Sequence, residues 1–125
     1  MRVLQVCSAE GIGGGEAHVA DLARALVERG VDVELAVRPT SELPDYVGAS
    51  VQGLVWHRVP LRNSLDVASV HALGSLVDER RIDVVHAHVA RDYPVAALAC
   101  RGTRAGLVLT RHHYFPIKGN VLYRR

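Results

Sequence analysis

Lysine is almost missing from this chain: Lys118 stands alone beside fourteen arginines. No basic block forms, and a formal net charge of +2 does not indicate a nucleic-acid surface. Cysteine is scarce as well. Cys7 and Cys100 supply neither a disulfide framework nor a set of zinc ligands, so a reducing, cytoplasmic setting is the expectation. Long hydrophobic runs are lacking, and no stretch approaches the ~18 apolar residues that a membrane span needs. The opening "MRVLQVCSAEG" has too short an apolar run for a signal peptide and reads directly as a first strand.

What remains is ample for one core. The chain has 125 residues, 49% of them hydrophobic and 22% charged, which is the composition of a folded domain. Short apolar runs alternate with helical patterns. Strands are predicted at Arg2 to Cys7, Val31 to Arg38, Gly53 to Pro60, Ile82 to His88 and Ala105 to Thr110. Between them, Val19, Leu22, Ala23 and Leu26 recur at helical spacing from Glu16, and Gly30 stands where a C′ glycine belongs. A second helix reads from a Ser64 cap to about Arg80, and a short third one from Pro94 to Arg101. Alternating strands and helices with near-continuous apolar strands give an α/β fold: a Rossmann-like, doubly wound parallel sheet in a single domain. The tail "GNVLYRR" reads as a helix just beginning, so the chain is expected to continue.

In such a sheet, ligands bind beyond the carboxyl ends of the strands where strand order reverses. If the first and fourth strands are neighbours, three loops meet there: "SAEGIGGGEA", "HAHVARDYP" and "TRHHYFP". Gly11, Gly13, Gly14 and Gly15 lead into a helix N-terminus, where backbone N–H groups and the helix dipole favour a phosphate. The ligand is not a dinucleotide by fingerprint. Counting G-x-G-x-x-G from Gly11 puts Glu16 at the third glycine, counting from Gly13 puts His18 there, and the second strand ends in Arg38 and Pro39 rather than an acid. A P-loop lysine is missing too. Glu16 reads either as a carboxylate favoured by the dipole or as a ligand contact. Arg91 and Asp92 read either as groups that hydrogen-bond an acceptor or as a solvated pair. His86 and His88 share one strand face, with His112 and His113 on the next loop. Zinc would want three or four convergent ligands, so no metal is expected. His18, His57 and His71 read as ordinary surface or helix histidines, and Trp56 and Tyr46 as packing residues.

The ordered set "GIGGGEAHVADLARALVERGVDVELAV", "RGVDV" (Arg29 to Val33), "DVVHAH" (Asp83 to His88) and "VLTRHH" (Val108 to His113) resembles the N-terminal domain of GT-B glycosyltransferases of glycosyltransferase family 4. The resemblance implies retaining transfer of a sugar from a nucleotide-sugar donor to a glycan, lipid-linked or small-molecule acceptor, with no cofactor. It implies that Gly13, Gly14, Gly15 and Glu16 approach the donor diphosphate and sugar. The histidine of the family's T-x-H segment falls on His112, beside the transferred sugar. His88 on the adjacent strand end joins it as a catalytic candidate, and Arg91, Asp92, Arg111 and His113 fall on the acceptor side. Family members carry a C-terminal domain that binds the nucleotide, and no such segment follows here. The chain is therefore expected to be a fragment that is inactive alone. The alternative is a stand-alone nucleotide- or anion-binding module, or one subunit of a split transferase. Tyr114, Phe115, Lys118, Arg124 and Arg125 form a modest basic and aromatic patch, for which weak contact with the inner membrane surface is the expectation.

Overall fold

The structure is a computed structural model and describes residues 1–111. His112, His113 and the basic-aromatic tail lie outside the described residues. Strands β1 (Arg2–Cys7), β2 (Asp32–Val37), β3 (Val55–Arg58), β4 (Val84–Ala87) and β5 (Gly106–Leu109) form one parallel sheet in the order β3-β2-β1-β4-β5. Helices α1 (Gly14–Glu28), α2 (Leu43–Val47), α3 (Val67–Glu79) and α4 (Tyr93–Cys100) complete the fold. The doubly wound reading holds, and β1 and β4 are indeed neighbours.

Alternation along the strands divides the core in two. Leu4, Val6, Ala36, Val85 and Ala87 meet Leu73 and Val77 of α3 and Val95, Ala96 and Ala99 of α4. On the opposite face, Cys7, Val33, Leu35 and Val37 meet Val19, Ala20 and Ala23 of α1 and Leu43 and Val47 of α2. Burial in that second cluster pushes the Cys7 thiol up to about 11, so it is an inert apolar group at neutral pH. Helix α1 ends as its sequence foretells. Gly30 adopts φ +81°, and the N–H groups of Gly30 and Val31 return to the carbonyls of Val27 and Leu26. No helix among the described residues is long and apolar enough to cross a membrane.

Two local readings need correction. Ser64 does not cap α3: Asp66 is the N-cap, its carboxylate accepting from the Ser69 N–H at 3.1 Å, while the Ser64 hydroxyl donates to the Arg91 carbonyl. His57 is not an ordinary surface histidine. Its Nε2 lies 2.7 Å from Glu34, a carboxylate buried in the middle of β2. Arg80 Nε donates to both Glu34 oxygens at 3.0 and 3.1 Å, and Arg2 stands 3.7 Å away.

Burial alone would push the Glu34 carboxyl up, but the hydrogen bonds from Arg80 and His57 outweigh it and hold its pKa below the ordinary value. A carboxyl with a depressed folded pKa contributes stability above its unfolded pKa and loses it as pH falls through the folded one. Glu34→Gln should therefore lower the melting temperature at neutral pH. The gap to the parent should close in acid, where Glu34 is protonated and resembles glutamine. Melting curves of both proteins from pH 7 to pH 2 test this, and a gap that persists at the acid end contradicts it.

Candidate functional site

The reversal of strand order between β1 and β4 leaves a cleft at the carboxyl edge of the sheet. It has a volume of about 580 Å³ and is lined by Ala9, Gly13, Gly14, Gly15, Glu16 and His18 on one side and by His88, Val89, Ala90 and Arg91 on the other. The loops after β1 and β4 thus converge as their places in the sheet require.

The glycine wall is the first turn of α1. Ladder bonding begins when the Ala17 N–H reaches the Gly13 carbonyl at 3.0 Å, so Gly14, Gly15 and Glu16 have N–H groups with no acceptor inside the helix. Glu16 turns back to accept the Gly13 N–H at 2.7 Å, half of a capping box whose other half a glycine cannot supply. Glu16 is thus a carboxylate at the helix N-terminus, as the first of its two readings has it, and it also caps the Gly13 N–H and lines the cleft. Among Gly11, Gly13 and Gly14, none has a positive φ. A Cβ on Gly11 or Gly14 would meet nothing within 4 Å, and one on Gly13 would meet only the Glu16 carboxylate at 3.1 Å. The backbone does not demand glycine at Gly11 or Gly14.

Opposite, Arg91 and Asp92 are neither a solvated pair nor both open to the cleft. The buried Asp92 carboxylate accepts the Ser8 N–H at 2.8 Å. Arg91 donates from Nε to the Ser8 hydroxyl at 2.7 Å and from its terminal nitrogen to the Ser8 carbonyl at 3.1 Å. Ser8 is the first residue after β1, where the glycine loop begins, so the β4 loop fastens the root of the β1 loop. Burial pushes the Asp92 carboxyl above its ordinary pKa against the hydrogen bonds from Ser8. Arg91 alone of the two lines the cleft.

The histidines sort differently from the sequence reading. His88 is buried at 3% exposure, lines the cleft, and pairs through Nε2 with the Gln5 side-chain oxygen. His86, on the same strand face, packs on His88 with ring centroids 4.0 Å apart and pairs with the Thr110 hydroxyl. The Tyr93 hydroxyl donates to the Thr110 carbonyl at 2.6 Å, which ties the end of β5 to α4. His18, set aside from the sequence, lies in the cleft wall with its ring 6.3 Å from that of His88. Its place one turn into α1, on the side of Gly14 and Gly15, is the signal that could have found it. Arg111 is exposed just beyond β5, while His112 and His113 lie outside the described residues. Among the described residues, no three His, Cys, Asp or Glu side chains form a group that could hold a metal ion.

Solved structures share this fold. MurG of Acinetobacter baumannii aligns with a TM-score of 0.69 at 14% identity, covering 88% of this chain and 34% of that one. A glycosyltransferase of Rickettsia africae gives 0.69 at 18%, covering 96% and 32%. HepE of Anabaena, in complex with UDP and glucose, gives 0.64 at 15%, covering 87% and 29%. The chain spans about a third of the length of these proteins and matches the N-terminal part of their GT-B fold. No curated protein matches it by sequence search. The sequence profile of glycosyltransferase family 4 matches residues 12–125, nearly the whole chain, and the chain belongs to that family.

Proposed function

We propose that this domain is the acceptor-side half of a retaining glycosyltransferase and that its glycine wall receives the diphosphate of a nucleotide-sugar donor. The observation that carries the reading is the open space above Gly14 in the cleft wall. The fold leaves room for a side chain there, so the close approach of a ligand to the protein backbone is what favours glycine. The α1 N–H groups and dipole meet an anion at that spot, and the Arg91 guanidinium stands across the cleft. Two structural neighbours are described with such ligands: VinC in complex with dTDP, and HepE with UDP and glucose.

In the reaction, the bond from the sugar C1 to the diphosphate oxygen breaks. A new C1–O bond forms to the acceptor hydroxyl on the same face of the sugar, and the hydroxyl proton is lost to solvent or the leaving group. The α1 N–H groups stabilise charge as it develops on the diphosphate, and His88, with His112 of the T-x-H segment, orients the sugar. Most of the positive charge for the leaving group would come from a second, nucleotide-binding domain closing over the cleft. Residues 1–125 alone should bind donors weakly and turn over negligibly.

The test is a panel of UDP-, GDP- and dTDP-sugars with the protein as its host makes it. Nucleotide release is followed by a coupled assay, and the anomeric configuration of the product by proton NMR. The reading expects acceptor-dependent release with retained configuration. Inverted product would overturn retention, and no binding of any nucleoside diphosphate would overturn the donor site itself.

A further inference from the structure

Gln5 sits in the middle of β1, fully buried, with Leu35 beside it in β2 and His86 beside it in β4. It is the one polar side chain of a strand that otherwise reads Val3, Leu4, Val6 and Cys7 through its buried length. Its side-chain oxygen meets His88 Nε2, and its side-chain nitrogen has no hydrogen-bond partner among the described residues. A buried amide with an orphaned NH₂ is less stable in such a place than an apolar side chain of similar volume. The amide oxygen offsets part of that cost by pairing the buried His88 nitrogen, which an apolar side chain would leave orphaned. What the amide does accomplish is a bond to one defined nitrogen of the histidine that floors the cleft.

We infer that Gln5 is a positioning residue that fixes the tautomer of His88. Because the amide oxygen can only accept, it keeps a proton on His88 Nε2 and makes Nδ1 the lone-pair nitrogen. It also holds the ring plane, which packs on His86 from the neighbouring position of the same strand face. This inference deepens the proposed donor site and rests on it for its effect on turnover, but the bond and the tautomer stand without it.

Long-range proton–nitrogen NMR of the histidine rings reads the tautomer directly, with the His88 signals assigned by their loss in His88→Gln. The parent protein should carry the proton on Nε2. In Gln5→Leu and Gln5→Met, the His88 nitrogens should move toward a mixture of tautomers, and the melting temperature should fall modestly because the buried ring nitrogen loses its partner. In Gln5→Glu, the carboxylate accepts in place of the amide, and a proton should return to Nε2. Turnover should fall about tenfold or more in the Leu and Met variants, in kcat rather than in donor KM. An Nδ1–H tautomer in the parent, or an unchanged His88 spectrum in both apolar variants, would overturn the inference. A drop in melting temperature with an unchanged spectrum would make Gln5 merely structural. If the tautomer moves as expected but the parent transfers no sugar, the transferase reading falls and the role of Gln5 stands.

Discussion

Gly14→Val should cut transfer by about a hundredfold in kcat/KM while the protein melts within a few degrees of its parent. Gly14 is the first residue of α1, its φ is ordinary, and an added Cβ meets nothing within 4 Å. The fold gives no reason for the substitution to disturb it. Gly14→Ala should even melt slightly higher, because alanine restricts the unfolded chain by about 0.4–1 kcal/mol relative to glycine. A ligand that approaches the α1 N-terminus closely is the one thing that a side chain there would displace. Gly13 is a poorer probe, since its Cβ would press on the Glu16 carboxylate that caps its own N–H. Steady-state kinetics and melting curves on the same samples decide the matter. Undiminished kcat/KM in the valine variant would mean that the donor does not touch this wall.

The largest loss of stability is expected at Asp66. Besides capping α3 through Ser69, its carboxylate accepts the Arg62 N–H at 2.9 Å and two side-chain bonds from Arg62 at 3.2 and 3.3 Å. The Arg62 guanidinium and these backbone bonds hold its pKa well below the usual carboxylate range. Asp66→Ala removes the cap and leaves buried N–H groups without acceptors, for a loss of about 2–4 kcal/mol. In a domain of this size that corresponds to a fall in melting temperature of roughly 10 °C. Asp66→Asn, which keeps one acceptor oxygen, should recover about half of it. Thermal unfolding by circular dichroism measures both. An alanine variant that melts within two or three degrees of the parent would show that Asn63 or Ser64 takes over the cap.

The sequence announces the sheet because its strands are short apolar runs bounded by glycine and proline, and all five begin and end within two residues of where they are read. It does not announce α2. Leu43–Val47 is a single turn with a proline inside, too brief for any period to emerge. The cap of α3 was misread because Asn63, Ser64 and Asp66 are all capping residues. Asn63 instead closes its own turn onto the Leu65 N–H at 2.8 Å, and only Asp66 stands next to the first helical residue. The glycine wall and His88 were legible, being fixed by loop position at the reversal of strand order. Contacts that span the chain were not. Gln5 with His88, Asp92 with Ser8, and Glu34 with Arg80 each join residues that the sequence keeps far apart, and local patterning carries no trace of such pairs.

Fastening Ser8 on three sides bears on how the cleft can move. Its N–H, carbonyl and hydroxyl are all engaged by Arg91 and Asp92. Two residues on, the Glu10 carboxylate pairs with Thr40, and its carbonyl accepts the Glu42 N–H at 2.9 Å. Slack in the loop is thus confined to Gly11, Ile12 and Gly13, and Ile12 already leans on the core. The β4 loop and the root of the β1 loop are tied together at Ser8. On the proposed reading, a diphosphate arriving here would order little further loop, so little ordering entropy would be lost on capture. Association of a nucleoside diphosphate with residues 1–125 should therefore follow a single second-order phase, a slower step belonging only to closure of the second domain in a longer protein.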